Sequence, residues 1–287
     1  MTLNNTHFCS VNECHWCGCK EATKLYTNLY DATIVKCNNC GFVYSNKILN
    51  EAGLKAYWSN YESNVHCADK KLNEQRLKMY QLDFDFIKRY IDLSSADVLD
   101  VGCANGLFLD LFHEAGANCI GAEFGKEAAC EAQKKYKVYF GEFPELPITE
   151  KFDLIIFRGV IQYFIHPKRY LAKAIQLLKN GGLLFITSSA NADSYCFNLF
   201  KENFTLPCGV TDYYAFNERI ITDYLKSLHA KLLAKYHFYS ETPYANPAED
   251  ILKVAKATAL ANDGKEIHFR SPAFFDNMLT LVYKKTE

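Results

Sequence analysis

The sequence predicts an α/β protein organised around buried parallel strands, and three observations predict it. A short apolar run, a turn of small residues and a helix-spaced apolar segment follow one another between Asp97 and Phe112. Strand-like and helix-like segments then alternate as far as Thr187, the order that lays parallel strands side by side with helices between them. The 287 residues are 49% apolar and 15% aromatic, enough for a sizeable core in one large or two modest domains.

The first unit carries the chemistry. Asp97-Val98-Leu99-Asp100-Val101 is β-rich and short, as a strand buried on both faces should be, and Leu107, Phe108, Leu111 and Phe112 recur at helical spacing. Between them, Gly102-Cys103-Ala104-Asn105-Gly106 places small residues at 102, 104 and 106. Backbone can then pass close to a ligand, while the following helix presents free N–H groups to a negatively charged end of it. A dinucleotide fingerprint would need glycines at 102, 104 and 107, and the chain has Ala104 and Leu107. Asn118-Cys119-Ile120-Gly121-Ala122-Glu123 reads as a second strand ending in a carboxylate, where α/β nucleotide sites accept hydrogen bonds from a ribose diol; a solvated surface glutamate is the alternative.

Net charge is −1 and no basic run occurs, so the footprint of a protein that grips a phosphate backbone is missing. No stretch of 18 apolar residues occurs, and the first residues lack the charged start and apolar block of a signal peptide, which leads to an expected cytoplasmic location. Of twelve cysteines, Cys103, Cys119 and Cys130 fall inside core elements and read as reduced thiols. Four others form a group. Cys14-His15-Trp16-Cys17-Gly18 is answered after nineteen residues by Cys37-Asn38-Asn39-Cys40-Gly41, two C-x-x-C-G knuckles whose thiolates suit a tetrahedral structural Zn²⁺ with no open position. Cys9 and Cys19 are spare thiols and His15 a bystander. The β-branched and aromatic alternation from Ala22 to Lys36 reads as a hairpin, and so small a module needs its metal to fold.

Asp100-Val101-Gly102-Cys103-Ala104-Asn105-Gly106 resembles the first motif, D-x-G-x-G-x-G, of the Rossmann-like (class I) S-adenosylmethionine methyltransferases, with alanine for the middle glycine. The order of ribbon, Cys40-Gly41-Phe42-Val43-Tyr44-Ser45-Asn46 and a tyrosine-rich helix is similar to a bacterial group of such enzymes, several of which act on deoxysugars or in surface-polysaccharide and natural-product pathways. The resemblance covers roughly residues 14 to 190. It implies a seven-strand mixed sheet flanked by helices. The domains expected are a zinc ribbon (1–45), a helical connector (46–95) and a methyltransferase domain (96–287) with insertions at about 190–218 and 240–272. S-adenosylmethionine is the implied methyl donor and a small, sugar-containing molecule the implied acceptor. Asp100, Gly102, Cys103, Ala104 and Gly106 would cradle the donor, Glu123 hold its ribose, Glu142 and Phe143 frame its adenine, and Phe124 and Arg158 complete the expected donor-binding set.

The connector reads as two helices, from Ala52 to Tyr61 and from Leu72 to Leu93; Tyr57 and Tyr61 are candidates for the acceptor pocket or ordinary core residues. Lys126 to Tyr136 reads as a helix and Val138-Tyr139-Phe140 as the third strand. Phe152 to Arg158 is a continuous apolar strand, followed by Gly159-Val160-Ile161-Gln162-Tyr163-Phe164-Ile165-His166-Pro167. Gln162, Tyr163 and His166 stand where the family often has Glu, His and Asp in its fourth motif. Tyr163 could position the acceptor, face the sulfonium or, with help, accept a proton, and His166 could serve as a base or start the next helix. The amine-methylating signature of nucleic-acid enzymes does not occur at this strand end.

A helix from Pro167 through Leu178, stopped by Asn180-Gly181-Gly182, leads to the strand Leu183–Thr187. Ser189 and Asn191 at its exit, and Tyr213 in the long stretch to Ala215, are further acceptor-side candidates, that stretch resembling a lid. A helix over Arg219–Ala230, a strand over Lys231–Tyr239 and a last antiparallel strand over Asn277–Lys284 at the sheet edge complete the reading; Pro243 to Arg270 has no assignment. An RNA methyltransferase gripping its substrate with the ribbon, and a non-catalytic cofactor-binding assembly protein, are the rival functions, and the oligomeric state is open.

Overall fold

The computed structural model describes residues 4–28, 31–58, 70–206, 208–209 and 211–287. The chain begins with a hairpin-based module. Strand β1 (Phe8–Ser10) pairs antiparallel with β5 (Lys47–Leu49), and between them β2 (Ala22–Thr27), β3 (Thr33–Cys37) and β4 (Val43–Ser45) form an antiparallel meander. Helix α1 (Glu51–Trp58) starts at Asn50, whose side chain accepts the Gly53 N–H at 2.9 Å. It is described as far as Trp58, and the expected end at Tyr61 lies outside the described residues. Helix α2 (Lys70–Ile87) stops before the expected Leu93, although Ile91 beyond it still packs into the core.

The remaining elements alternate. Strand β6 (Asp97–Val101), helix α3 (Leu107–Glu114), β7 (Asn118–Glu123), α4 (Lys126–Ala132), β8 (Lys137–Phe140), β9 (Phe152–Arg158), α5 (Pro167–Leu177) and β10 (Leu178–Ala190) form the parallel part. Then come α6 (Tyr195–Phe200), the two-residue β11 (Tyr214–Ala215), α7 (Glu218–Ser227), β12 (Ala230–Tyr236), α8 (Pro247–Asn262) and β13 (Met278–Lys285). The central sheet has seven strands in the order β12-β13-β10-β9-β6-β7-β8, with β13 antiparallel to both neighbours, which is the mixed sheet the sequence led us to expect. One expectation is corrected. The last strand is not at the edge; β13 lies between β10 and β12, and β12 takes the edge. The backbone groups on both edges of β13 are thereby paired, to β10 on one side and to β12 on the other. Leu178, expected in a helix, already pairs with Phe152, so α5 stops a residue earlier and Asn180-Gly181-Gly182 bulges within β10. The stretch without an assignment contains α8.

Strand β9 shows why both faces of the sheet are covered. Leu154 and Ile156 join Phe84, Ile87, Phe108 and Phe112 of α2 and α3 in one core, while Ile155 and Phe157 join Leu171, Ala174 and Ile175 of α5 in the other. Trp16 and Phe42 of the N-terminal module belong to that second core, so the module is packed against the sheet domain rather than tethered to it. Strand β11 fixes the union in register by backbone hydrogen bonds. It leaves the long stretch after β10 and pairs antiparallel with β4, Tyr214 opposite Tyr44 and Ala215 opposite Val43, as the fourth strand of the N-terminal meander. Among the described residues no helix is long and apolar enough to cross a membrane.

One buried ion pair ties α2 to the sheet. Asp83, fully buried, accepts from Arg158 Nε at 2.8 Å and from Thr187 Oγ1 at 2.8 Å, and the Arg158 guanidinium lies 4.2 Å from the centre of the Tyr80 ring. Asp83→Ala removes the only counter-ion Arg158 has within 4.0 Å among the described residues, and is expected to lower the unfolding free energy by about 3–5 kcal/mol, measured by urea denaturation.

Candidate active site

A cavity of about 860 Å³ opens at the C-terminal ends of β6, β7, β8 and β9. The chain runs from β6 outward to β8 on one side and resumes with β9 on the other, so the cavity stands at the switch point of the sheet, where open α/β folds bind ligands. Glu51, Leu54, Lys55 and Trp58 of α1, with Arg76 and Tyr80 of α2, wall its other side.

The floor is the turn after β6. Gly102 has φ +77°, and a Cβ there would stand 2.5 Å from Val160 Cγ1, so both backbone and space demand glycine. Ala104 also adopts a left-handed φ of +48°, which explains the family's glycine at this place and costs an L-residue about 1–2 kcal/mol. Its N–H donates to Glu123 Oε2 at 2.8 Å, while Phe124 N–H and Gly125 N–H donate to Oε1 at 2.8 and 2.7 Å. Burial nevertheless raises the Glu123 carboxyl above its ordinary range, the three N–H bonds working against that. About one of its roughly four lone-pair positions is left for a ligand hydroxyl. Asp100, below the turn, is pushed up to about 7 by burial, with Arg158 opposing and Glu123 adding to the rise. Its Oδ1 has no hydrogen-bond partner among the described residues, the kind of buried acceptor that a ligand's ammonium group or a bridging water completes.

The expected donor-side residues fall into two sets. Gly102, Ala104, Glu123, Phe124, Glu142, Phe143 and Arg158 line the cavity. Asp100, Cys103 and Gly106 do not: Asp100 is buried beneath the turn, Cys103 packs with Leu109, Ala129, Ala132 and Val138, and Gly106 is the left-handed start of α3, close against the Tyr136 ring. Glu142 Oε1 is held by Tyr170 Oη at 2.9 Å, and the Tyr170 ring stacks on Phe164 with centroids 3.8 Å apart.

On the opposite side, Tyr163 and His166 reach the cavity. Tyr163 meets Trp58 edge to face at 5.1 Å. His166 has φ +62° at the start of α5, yet its side chain makes no cap; its ring lies 4.9 Å from the His15 ring instead. His15, from the first knuckle, bonds Tyr214 Oη, so this bystander of the metal cluster joins the N-terminal module to the cavity rim. Gln162, Ser189, Asn191 and Tyr213 are not brought to the wall. Ser189 Oγ donates to Gln162 Oε1, Gln162 Nε2 donates to the Gly159 carbonyl, Asn191 holds Asp276, and Tyr213 is buried. Tyr57 packs against the core, and Tyr61 lies outside the described residues.

Sequence reasoning missed Trp58, Arg76, Tyr80 and Phe164 in the wall, and Asp212 behind Tyr163. Asp212 accepts from Thr211 Oγ1 at 3.2 Å, and burial pushes its carboxyl up to about 6, with Tyr163, Thr211 and Gln162 opposing the rise. No spacing rule links residue 212 to residue 163; the fold brings the two segments together through the Tyr213 N–H bond to the Gln162 carbonyl.

The four knuckle thiols form a second site. Their sulfurs all lie within 4.8 Å of one another, with Cys14–Cys40 at 3.6 Å and Cys17–Cys37 at 3.5 Å. The knuckles repeat one geometry: Cys14 N–H donates to the Cys19 carbonyl and Gly18 N–H to that of Cys14, as Cys37 N–H does to Phe42 and Gly41 N–H to Cys37. Gly18 and Gly41 take φ +73° and +77°. The donor set fits a tetrahedral ion with about 2.3 Å metal–sulfur bonds.

This fold, with its glycine turn and strand-end carboxylate at the switch point, is that of a class I methyltransferase. The chain belongs to the family described as a methyltransferase domain, whose model matches residues 72–279. It is 28% identical over 136 residues to an uncharacterised protein of Methanocaldococcus jannaschii, covering 47% of this chain and 62% of that one. It is 24% identical over 148 residues to the ubiquinone biosynthesis O-methyltransferase of Pseudomonas fluorescens, covering 47% and 64%. The chain thus spans less than two thirds of these curated relatives. Among solved structures, magnesium protoporphyrin IX methyltransferase of Synechocystis, crystallised with S-adenosylhomocysteine, has the same fold at TM-score 0.57 and 13% identity, covering 82% of this chain and 100% of that one. The Burkholderia thailandensis 1,6-didemethyltoxoflavin-N1-methyltransferase does so at 0.54 and 17%, covering 93% and 100%.

Glu123→Gln puts an amide where three N–H groups need a carboxylate, and is expected to weaken S-adenosylhomocysteine binding by roughly 10- to 100-fold in calorimetry, the worth of a charged hydrogen bond. The wild type is expected to bind one metal ion per chain by elemental analysis, and Cys37→Ser to lose it and to lower Tm by several degrees, each kcal/mol being worth roughly 2–4 °C at this size.

Proposed function

We propose that the protein is an S-adenosylmethionine-dependent methyltransferase acting on a small-molecule acceptor, a nucleotide-linked sugar or surface-glycan precursor by its resemblance to ribbon-bearing sugar enzymes. The observation that carries the donor assignment is the Ala104 N–H to Glu123 bond beneath the cavity, which binds the glycine turn to the strand-end carboxylate. Glu123 would take a ribose hydroxyl, Glu142 and Phe143 the adenine, and Asp100 with the Gly102 turn the amino-acid end. When bound, the donor supplies an already activated methyl group on a sulfonium. The protein's part is alignment and exclusion of water, and Trp58 and Tyr163 offer aromatic faces to positive charge in the cavity. The Cys14, Cys17, Cys37 and Cys40 cluster would hold zinc as a structural ion, its four thiolates leaving no position for substrate.

The same reading takes residues 1–45 as a ribbon, 46–95 as connector and 96–287 as the methyltransferase domain, with the insertion at about 190–218 supplying a strand to the ribbon.

Titration with S-adenosylhomocysteine is expected to give one site per chain, and incubation with S-adenosylmethionine and nucleotide sugars is expected to release S-adenosylhomocysteine, followed by mass spectrometry. Failure of both donor and product to bind would overturn the assignment; a salt-sensitive RNA shift together with methylation of RNA would transfer it to nucleic acid.

A further inference from the structure

One loop, between β9 and α5, brings Gly159, Val160, Tyr163, Phe164, Ile165 and His166 to the cavity wall. The N-terminal module holds this loop and the turn that follows it at three points. Ser45 N–H bonds the Tyr213 carbonyl at 2.8 Å and Tyr213 N–H bonds the Gln162 carbonyl at 2.9 Å, a chain of two bonds from β4 to the loop. The His15 ring lies 4.9 Å from that of His166, and its Nδ1 is hydrogen-bonded to Tyr214 Oη of β11. The Lys168 ammonium lies over the Trp16 ring and over the Tyr224 ring, at 5.1 Å from each, while Tyr224 Oη donates to the Lys168 carbonyl at 3.1 Å. His15 and Trp16 are the two residues between Cys14 and Cys17, so the first knuckle grips the loop with both.

His166 is the residue on which the grip closes. It precedes Pro167, whose ring steers the residue before it toward extended backbone, yet His166 stands at φ +62° and ψ +60°, a left-handed conformation unfavourable to any side chain. The strain secures neither a helix cap, since the side chain makes no cap bond, nor burial, since the residue is exposed at the rim. Backbone strain of this kind persists where the surroundings over-determine it, and it gathers at ligand sites. Here the surroundings are the His15 ring and the Lys168 contacts, and the result is an imidazole at the cavity mouth.

Resting on the methyltransferase reading above, we infer that the first knuckle is a positioning device for the acceptor: His15 and Trp16 fix residues 159–168 so that His166 presents its ring to the acceptor molecule. His166 touches the acceptor, a ring nitrogen hydrogen-bonding one of its polar groups, and His15 is a positioning residue that acts through it. The Ala104 and Gly125 N–H bonds to Glu123, on which the donor side is built, lie on other elements and stay intact without His15. Closed around a structural ion, the four thiols would keep His15 and Trp16 in place and take no part in the transfer.

The test compares the wild type with His15→Ala, His15→Phe, His166→Ala and the double variant of His15→Ala with His166→Ala, each at one metal ion per chain. In His15→Ala, hydrogen exchange followed by mass spectrometry is expected to quicken about tenfold or more across 159–168 and to stay within about threefold across 97–107. His15→Phe, which returns a ring to the contact, is expected to recover most of that protection, and removal of the metal from the wild type with a chelator to abolish it. S-adenosylhomocysteine affinity by calorimetry is expected to stay within about threefold in every variant, as for distant independent sites. In turnover with S-adenosylmethionine and nucleotide hexoses, His15→Ala and His166→Ala are each expected to raise the acceptor KM about tenfold. The double variant is expected to match His166→Ala, because residues acting through one contact couple, whereas independent effects would multiply to about 100-fold. Unchanged exchange across 159–168 in His15→Ala or in the metal-free wild type, equal loosening of 97–107 in His15→Ala, or multiplied KM effects in the double variant would overturn the inference. Hexoses that are not turned over would overturn the acceptor named above, the exchange measurements still deciding the positioning role. A wild type that does not bind S-adenosylhomocysteine would instead overturn the methyltransferase reading.

Discussion

Two residues of strand, Tyr214 and Ala215, carry a load out of proportion to their length. By pairing with β4 they complete the N-terminal meander, and by continuing into Phe216, which bridges Asn191, they remain attached to the exit of β10. Backbone hydrogen bonds are directional and cannot be left unmade in a buried setting, so this pairing sets one register between the cysteine-rich module and the central sheet. Aromatic packing then fills the joint: Phe42 lies 5.0 Å from Tyr214 and 5.2 Å from Phe216, and Trp16 meets Tyr224 of α7 at 5.6 Å.

That joint gives the metal cluster a consequence at the cavity. Cys14 and Cys17 flank His15 and Trp16, so whatever holds the knuckle closed also holds the two residues that contact the cavity rim and the core. An ion bound there would do no chemistry itself. Its effect would pass through packed side chains and the strand they brace, and the module would act as a built-in wall for the site.

Around the cavity, buried charge is managed in two ways. Asp83 is matched to a guanidinium and a hydroxyl, as a structural carboxylate must be. Asp100 and Asp212 lie buried without a close ion-pair partner, and both are pushed toward neutral pH. Carboxylates kept in that state are expensive for stability and occur where a ligand or a proton will complete them. Glu123 stands between these cases, largely satisfied by backbone N–H groups yet open to the cavity.

Much of the molecule was legible in the residues themselves. Strands β6, β7 and β9 stand where short apolar runs placed them, because a strand buried on both faces has few other compositions to choose from. The Gly102 turn, the strand-end carboxylate and the paired C-x-x-C-G knuckles are local devices, each encoded within a few positions by backbone sterics or ligand spacing. Residues that meet only through folding were not legible: Asp83 with Arg158, His15 with His166, and Tyr213 with Gln162 are separated by 75, 151 and 51 positions. Nor could the pattern of β13 alone say that it runs inside the sheet rather than at its edge, since apolar faces report the layers that cover the sheet and not which strand comes to lie beyond it. The sequence by itself determined the elements and the turn that a nucleoside-bearing ligand would use. The tertiary structure decided which distant side chains share that cavity, because long-range pairing is settled by the register of whole strands and not by the residues near any one of them.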